Sequence, residues 1–225
     1  MQLVIGNKNY SSWSMRPWVL MKQLAIPFDE IRLSFNLGMG AGFGDAMLRY
    51  SPARRVPVLI DDGFSVWDSL AIVEYLHERS PASGVWPQDL RARARARSLA
   101  AEMHSGFGAL RSACPMNVEA SLPELGARVV AEQPAVRQDV QRIETMWADA
   151  LAASGGPYLF GAWSAADAFY TPIAQRFRTY AVPLSAASES FANRLLAAPG
   201  AAAWIADALA EHEFVPDDEP YRKSH

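Results

Sequence analysis

Hydrophobic and polar positions follow two regimes along the chain. The first alternates short β-type runs with helical spacing. "LVIG", residues 3–6, is an apolar run closed by glycine and predicts a strand. From Met15 the apolar positions Trp18, Val19, Met21 and Leu24 follow helical spacing until "AIPF" stops it. "FDEIRLSF" alternates imperfectly and predicts a second strand, and the glycine-rich "NLGMGAGFG" predicts a loop. That loop lacks the Gly-Lys-Ser/Thr ending of a phosphate loop. "VPVLID" and "FSVW" are two short strands joined through "DDG", a hairpin signal. "DSLAIVEYLHERS" then puts Leu70, Val73 and Leu76 on one helical side, with Ile72 beside them.

The second regime begins after the proline-bearing "SPASGVWPQD". From Leu90 onward the sequence is rich in alanine and arginine, helical in period, and interrupted only by prolines and glycines. No second β pattern and no internal repeat is present. The expected organisation is a small α/β domain over residues 1–80, a linker over 81–90 and an all-α domain over 91–225.

Composition narrows the function classes. Apolar residues make up 50% of the chain and charged residues 20%, which is ordinary for a globular protein. A net charge of −3 speaks against a general nucleic-acid binder, which must neutralise phosphates. "RARARAR", residues 91–97, does not change this. On a helix, positions two apart point about 200° away from each other, so these arginines split between faces and read as a solvated helix start. The single cysteine, Cys114, excludes an internal disulfide and a cysteine-rich zinc cluster, and reads as a small buried residue. The start "MQLVIGNKNY" has neither a basic leader nor a long apolar segment. No run approaches the ~20 apolar residues of a membrane helix. A soluble, cytoplasmic protein without a metal is expected.

Candidate chemistry lies in three places. "NYSSWSMRPW" crowds Tyr10, Ser11, Ser12 and Ser14 into one strand-to-helix turn. Serines cap helices, but hydroxyls at a helix start can also hold an anion. "ARRVPVLID" brings a Val-Pro pair into a strand, and "VWDSLAIVEYL" starts a helix with Asp68 and Ser69.

Together, and in this order, these features resemble the soluble glutathione transferases over essentially the whole chain. "SSWSMR" is similar to the Ser-Ser-x-Ser-x-Arg turn of the serine-type, theta- and zeta-like classes. "RRVPVLIDDGFSVWDSLAIVEYL" is similar to the family's glutathione-binding half. "GAWSAADAFYTPI" resembles the Gly-x-x-Ser-x-x-Asp helix start of its second domain, here Gly161, Ser164 and Asp167. The resemblance implies a thioredoxin-like βαβ–ββα domain followed by an all-helical domain, a homodimer, and a site in the cleft between domains. It also implies glutathione as cosubstrate and a small electrophile as its partner, with no nucleic acid and no membrane involved.

Residue by residue, the resemblance makes Ser11 the hydroxyl that holds the glutathione sulfur as a thiolate, with Ser12 and Tyr10 as rivals and Ser14 as a helix cap. Pro57 would be cis, leaving the Val56 backbone to pair with the cysteinyl unit. Arg55 would lie near the glycyl carboxylate, and Asp68 and Ser69 would hold the γ-glutamyl end. His104, Phe107, Arg111 and Arg176, with Arg178, would line the second-substrate pocket. Ser164 and Asp167 have capping-box spacing and carry no chemistry in this reading. Zeta-type isomerases carry a cysteine where Trp13 stands. Three activities are therefore expected in order: a transferase, a cis-trans isomerase of the maleylacetoacetate or maleylpyruvate type, and a non-catalytic interaction module.

Overall fold

A computed structural model describes residues 1–37 and 42–222. The first domain runs β1 (Gln2–Ile5), α1 (Ser12–Gln23), β2 (Asp29–Arg32), α2 (Gly42–Met47), β3 (Val58–Asp61), β4 (Phe64–Val66) and α3 (Ser69–Arg79). The strands form one sheet in the order β2-β1-β3-β4. β1 is parallel to β2 and antiparallel to β3, and β4 is antiparallel to β3. This is the βαβ–ββα order the sequence predicts.

Three boundaries differ from expectation. α1 starts at Ser12 rather than Met15, because Ser11 caps it. β2 ends at Arg32, short of "LSF". Gly42 to Gly44, expected in a loop, open α2; residues 38–41 of that stretch lie outside the described residues. The hairpin turn behaves as its sequence requires. Asp62 and Gly63 both take positive φ, 49° and 84°, the condition for a tight turn whose twist matches its strands.

Side-chain alternation divides the sheet's burial between two cores. Leu3, Ile5 and Leu59 face the large core shared with the helices. Val4 and Val58 face the other way, onto a smaller cluster with Leu33 and Met47 of α2.

The second domain contains α4 (Leu90–Ser105), α5 (Gly108–Ala113), α6 (Pro123–Glu132), α7 (Pro134–Ser154), α8 (Ala165–Thr179), α9 (Ala186–Ala197) and α10 (Pro199–Glu211). α8 is buried along its whole length except at Arg178 and forms the axis of the domain, its polar side chains Asp167, Thr171, Gln175 and Arg176 being buried with the rest. Trp147 of α7 meets Tyr170, Phe177 and Phe191 edge-on at 5.8, 5.8 and 5.0 Å. Asp167 holds the start of α8, accepting from the N–H groups of Leu159 (3.0 Å) and Ser164 (2.9 Å) and from the Ser164 hydroxyl (3.1 Å). Burial pushes its carboxyl up to about 7 against the pull of these donors. Among the described residues no helix is long and apolar enough to cross a membrane.

The stretch between domains is anchored rather than loose. Val85 and Trp86 are buried, and the Val85 carbonyl accepts from Ala165 N–H at the start of α8 (2.8 Å). α1 packs on α3 within its own domain and on α8 and α10 of the other. Asn9 Oδ1 accepts from Val118 N–H (2.7 Å) and Glu119 N–H (2.9 Å), and Arg97 of α4 forks onto Glu74 of α3 (2.8 and 2.7 Å). Two arginines of "RARARAR" therefore have structural tasks: Arg97 bridges the domains, and Arg93 donates to the Pro87 and Gln88 carbonyls.

Candidate active site

A cleft of ≈1010 Å³ opens where the start of α1, the β3 entrance and the start of α3 face α4, α5 and α8. Its first-domain wall carries Tyr10, Ser11, Ser12, Arg55, Val56, Pro57 and Asp68. Its second-domain wall carries His104, Arg111 and Arg176. Phe107, expected in the second-substrate pocket, is not among the lining residues. It is buried with φ 54° at the entry to α5, where it turns the chain. Ser69 is not on the wall either: it is fully buried, and its hydroxyl finds no partner among the described residues. Arg178 donates to the Gln175 side chain (2.7 Å) and is also absent from the cleft wall.

The four hydroxyls of the turn have different partners. Tyr10 is committed elsewhere: its hydroxyl donates to the Glu219 carboxylate beside the Glu213 carbonyl, and burial with Glu219 lifts its pKa far above the phenol range. Ser11 caps α1, accepting Ser14 N–H (3.4 Å), and its own hydroxyl donates to Ser14 Oγ (2.7 Å). Ser14, expected as the cap, is fully buried one turn into the helix and accepts Gly6 N–H (3.3 Å). Ser12 Oγ accepts from Arg176 Nη2 (3.2 Å).

Three arginines gather around the turn. Arg16 of α1 is 1% exposed and stacks on Trp13 (4.2 Å) and Phe169 (5.0 Å), its Nε and Nη1 having no hydrogen-bond partner among the described residues. Arg111 also lies over the Trp13 ring (4.8 Å) and donates to the carbonyls of Gly106 (3.2 Å) and His104 (3.4 Å). Arg176 donates to Cys114 O (2.9 Å), Pro172 O (3.3 Å) and Ser12. Among the described residues none of the three is in a salt bridge. Burial and the mutual repulsion of the guanidiniums hold Arg16 down to about 9 and Arg176 down to about 10, so both remain cations at neutral pH. Arg111 and Arg176, on the cleft wall without a salt-bridge partner among the described residues, favour an anion in the cleft.

The α3 end supplies the opposite polarity. Asp68 Oδ1 caps the helix, accepting from Leu70 N–H (2.9 Å) and Ala71 N–H (3.4 Å), while Oδ2 accepts from His104 Nε2 (3.0 Å). Val56–Pro57 is cis, as the resemblance implies, and Arg55 is exposed at the mouth. Cys114 is fully buried, its thiol pushed up to about 11 by burial, which makes it a poor nucleophile. Among the described residues no three His, Cys, Asp or Glu side chains gather as a metal would need.

Family models decide the assignment. The glutathione S-transferase N-terminal domain matches residues 10–79 and the glutathione S-transferase C-terminal domain matches residues 93–207. The chain belongs to the glutathione S-transferase family. Its sequence is similar to glutathione S-transferase theta-1 of Mus musculus, 37% identical over 98 residues, covering 43% of this chain and 39% of that one. It is also similar to maleylacetoacetate isomerase of Rattus norvegicus, 31% identical over 101 residues, covering 45% and 46%. The matched segments thus span less than half the length of these curated relatives. In fold, a glutathione transferase homolog from Burkholderia with bound glutathione superposes with a TM-score of 0.68 at 23% identity, covering 94% of this chain and 98% of that one.

Three groups at or around the glutathione S-transferase cleft were beyond sequence reasoning. Arg16 was visible only as the last letter of the serine turn, with nothing to say that it would be buried unpaired. Glu219, which takes Tyr10, and Asp218, which lines the cleft, lie in a C-terminal segment without motif or period.

Proposed function

We propose that the protein binds glutathione in this cleft, holds its sulfur as a thiolate and adds it to a small electrophile. The observation that carries the reading is the Ser11–Ser14 hydroxyl pair at the start of α1, in a cleft whose second-domain wall carries Arg111 and Arg176 without a salt-bridge partner among the described residues. A thiol of pKa about 8.5 is only a few per cent ionised at neutral pH. Lowering it by about two units needs only about 2.7 kcal/mol, within reach of a hydroxyl donor, a helix N-terminus and a nearby cation. Gly6 N–H fixes one lone pair of Ser14. Rotating the two hydroxyls lets Ser14 donate to Ser11 and Ser11 donate to the sulfur. Ser11 is therefore the sulfur donor, and Tyr10, held by Glu219, is not.

The remaining contacts follow from the cleft's polarity. Asp68 suits the γ-glutamyl ammonium, and the N–H groups at the start of α3 suit its carboxylate. The Val56 backbone pairs with the cysteinyl unit as an added strand would, and Arg55 meets the glycyl carboxylate. The thiol proton passes to water at the cleft mouth. The sulfur lone pair then forms the C–S bond while the electrophile's leaving group departs with its bonding pair. Trp13, His104 and Arg111 face the electrophile. We further read the protein as a cytoplasmic homodimer of theta/zeta-like type: its lone buried cysteine suits a reducing compartment, and exposed Phe64 and Leu90 offer apolar surface to a second copy.

The similarity to maleylacetoacetate isomerase favours one second reading. There the thiolate adds to a cis double bond, the new single bond rotates, and the sulfur leaves with its electron pair to restore the double bond as trans. Product analysis separates the two. A transferase consumes one glutathione per turnover and yields a thioether; an isomerase leaves glutathione unchanged. Failure to bind glutathione at millimolar concentration contradicts both and favours a non-catalytic module.

A further inference from the structure

We propose that Arg176 is a positioning residue that makes Ser12 a second donor to the sulfur: it holds the Ser12 oxygen, so that the Ser12 proton is the one left to face the cleft. This rests on the glutathione reading above and extends it to a group deep in the helical domain.

The partners of Arg176 carry the inference. Its side chain enters from α8, 5% exposed, and its nitrogens reach Cys114 O (2.9 Å), Pro172 O (3.3 Å) and Ser12 Oγ (3.2 Å). All three acceptors are neutral. Enclosing a guanidinium without an anion is unfavourable, and an apolar side chain would fill this part of the core at less cost. A cation retained in the cleft wall is complementary to an anion that comes from outside the protein.

Ser12 transmits it. A serine hydroxyl has one proton and two acceptor lone pairs. One lone pair of Ser12 receives Arg176, and among the described residues no acceptor takes its proton. Its neighbours differ: Tyr10 donates to Glu219, and Ser11 donates to Ser14. Ser12 also lines the cleft. Its proton can therefore reach a ligand sulfur without breaking a bond within the protein. A hydroxyl polarised by a cation donates more strongly, and the enclosed setting enhances the effect. Arg176, at about 10, stays charged across the working range. The sulfur is then held by two hydroxyls, Ser11 backed by Ser14 and Ser12 backed by a cation.

The test is a double-mutant cycle read on the pKa of the bound glutathione thiol, followed by ultraviolet thiolate absorbance as a function of pH. Binding of S-methylglutathione, which has no thiol proton, independently checks for an intact cleft. Ser12→Ala and Arg176→Met should each raise the bound-thiol pKa by about one unit, and the double variant should rise no further than either alone. If Arg176→Met does not fold, Arg176→Lys serves in its place and should give a smaller rise, because it keeps the charge and loses the fork. An unchanged thiol pKa in Ser12→Ala, or full additivity in the double variant, overturns the relay in a protein that still binds S-methylglutathione. A wild-type protein that binds neither ligand overturns the glutathione reading itself.

Discussion

Asp68 and His104 meet across the domain boundary, with Nε2 of the imidazole 3.0 Å from Oδ2 of the carboxylate whose other oxygen caps α3. The contact ties the proposed γ-glutamyl site to α4. Burial, followed by repulsion from Arg16 and Arg111, outweighs the pull of Asp68 and keeps the pKa of His104 below its ordinary 6.5. The neutral imidazole still donates through Nε2.

A pH dependence follows from that shift. The unfolded chain takes up the His104 proton near pH 6.5, whereas the folded chain takes it up only at lower pH. Between those two values the unfolded state binds more protons, so this residue's contribution to stability falls as the pH drops. Urea midpoints at pH 7.5 and 5.5 should differ more for the wild type than for His104→Gln. Equal differences would mean that His104 is not the titrating group.

Ser14→Ala should affect stability and chemistry together. It leaves the buried Gly6 N–H without its acceptor, at a cost of about 1–2 kcal/mol. It also frees Ser11 from its partner, so turnover should fall with little change in S-methylglutathione affinity. Urea denaturation and steady-state kinetics on the same variant check both halves.

Gly126 sits where α6 meets the end of α8. A Cβ there would lie 1.8 Å from the Tyr180 carbonyl oxygen, which is backbone and cannot swing aside. Gly126→Ala should cost about 2 kcal/mol or more. At Gly108, the first residue of α5, a Cβ meets nothing within 4 Å, and Gly108→Ala should change stability little. Chemical denaturation of both variants reads the contrast.

Asp167→Ala removes the acceptor for Leu159 N–H, Ser164 N–H and the Ser164 hydroxyl at the start of the central helix. A loss of about 2–4 kcal/mol is expected. Because α8 also carries Arg176, the thiol pKa of any folded fraction should rise as well; stability and thiolate spectra would show the two effects in one preparation.

What was legible in the sequence was mostly local. The Asp62-Gly63 turn, the Asp68 cap and the Ser164–Asp167 start are set by residues within a few positions of one another, and each appears where its spelling puts it. The serine turn was legible as a site and ambiguous in its parts, because the choice among hydroxyls depends on distant residues. Glu219 takes Tyr10 from 209 positions away, and Arg176 reaches Ser12 from 164. No periodicity encodes such contacts. Phe107 was expected in the cleft because the resemblance implies that the segment around it lines the second-substrate pocket, but with its positive φ it packs into the core.

The most direct test of thiolate activation is to titrate glutathione into wild-type protein and Ser11→Ala at neutral pH, recording the ultraviolet thiolate band together with tryptophan fluorescence, to which Trp13 beside the serine turn should contribute. The expected result is saturable binding to both proteins, with a thiolate band in the wild type that is largely lost in Ser11→Ala. Saturable binding without a band in the wild type, or a band of equal size in Ser11→Ala, would contradict the role assigned to the serine turn.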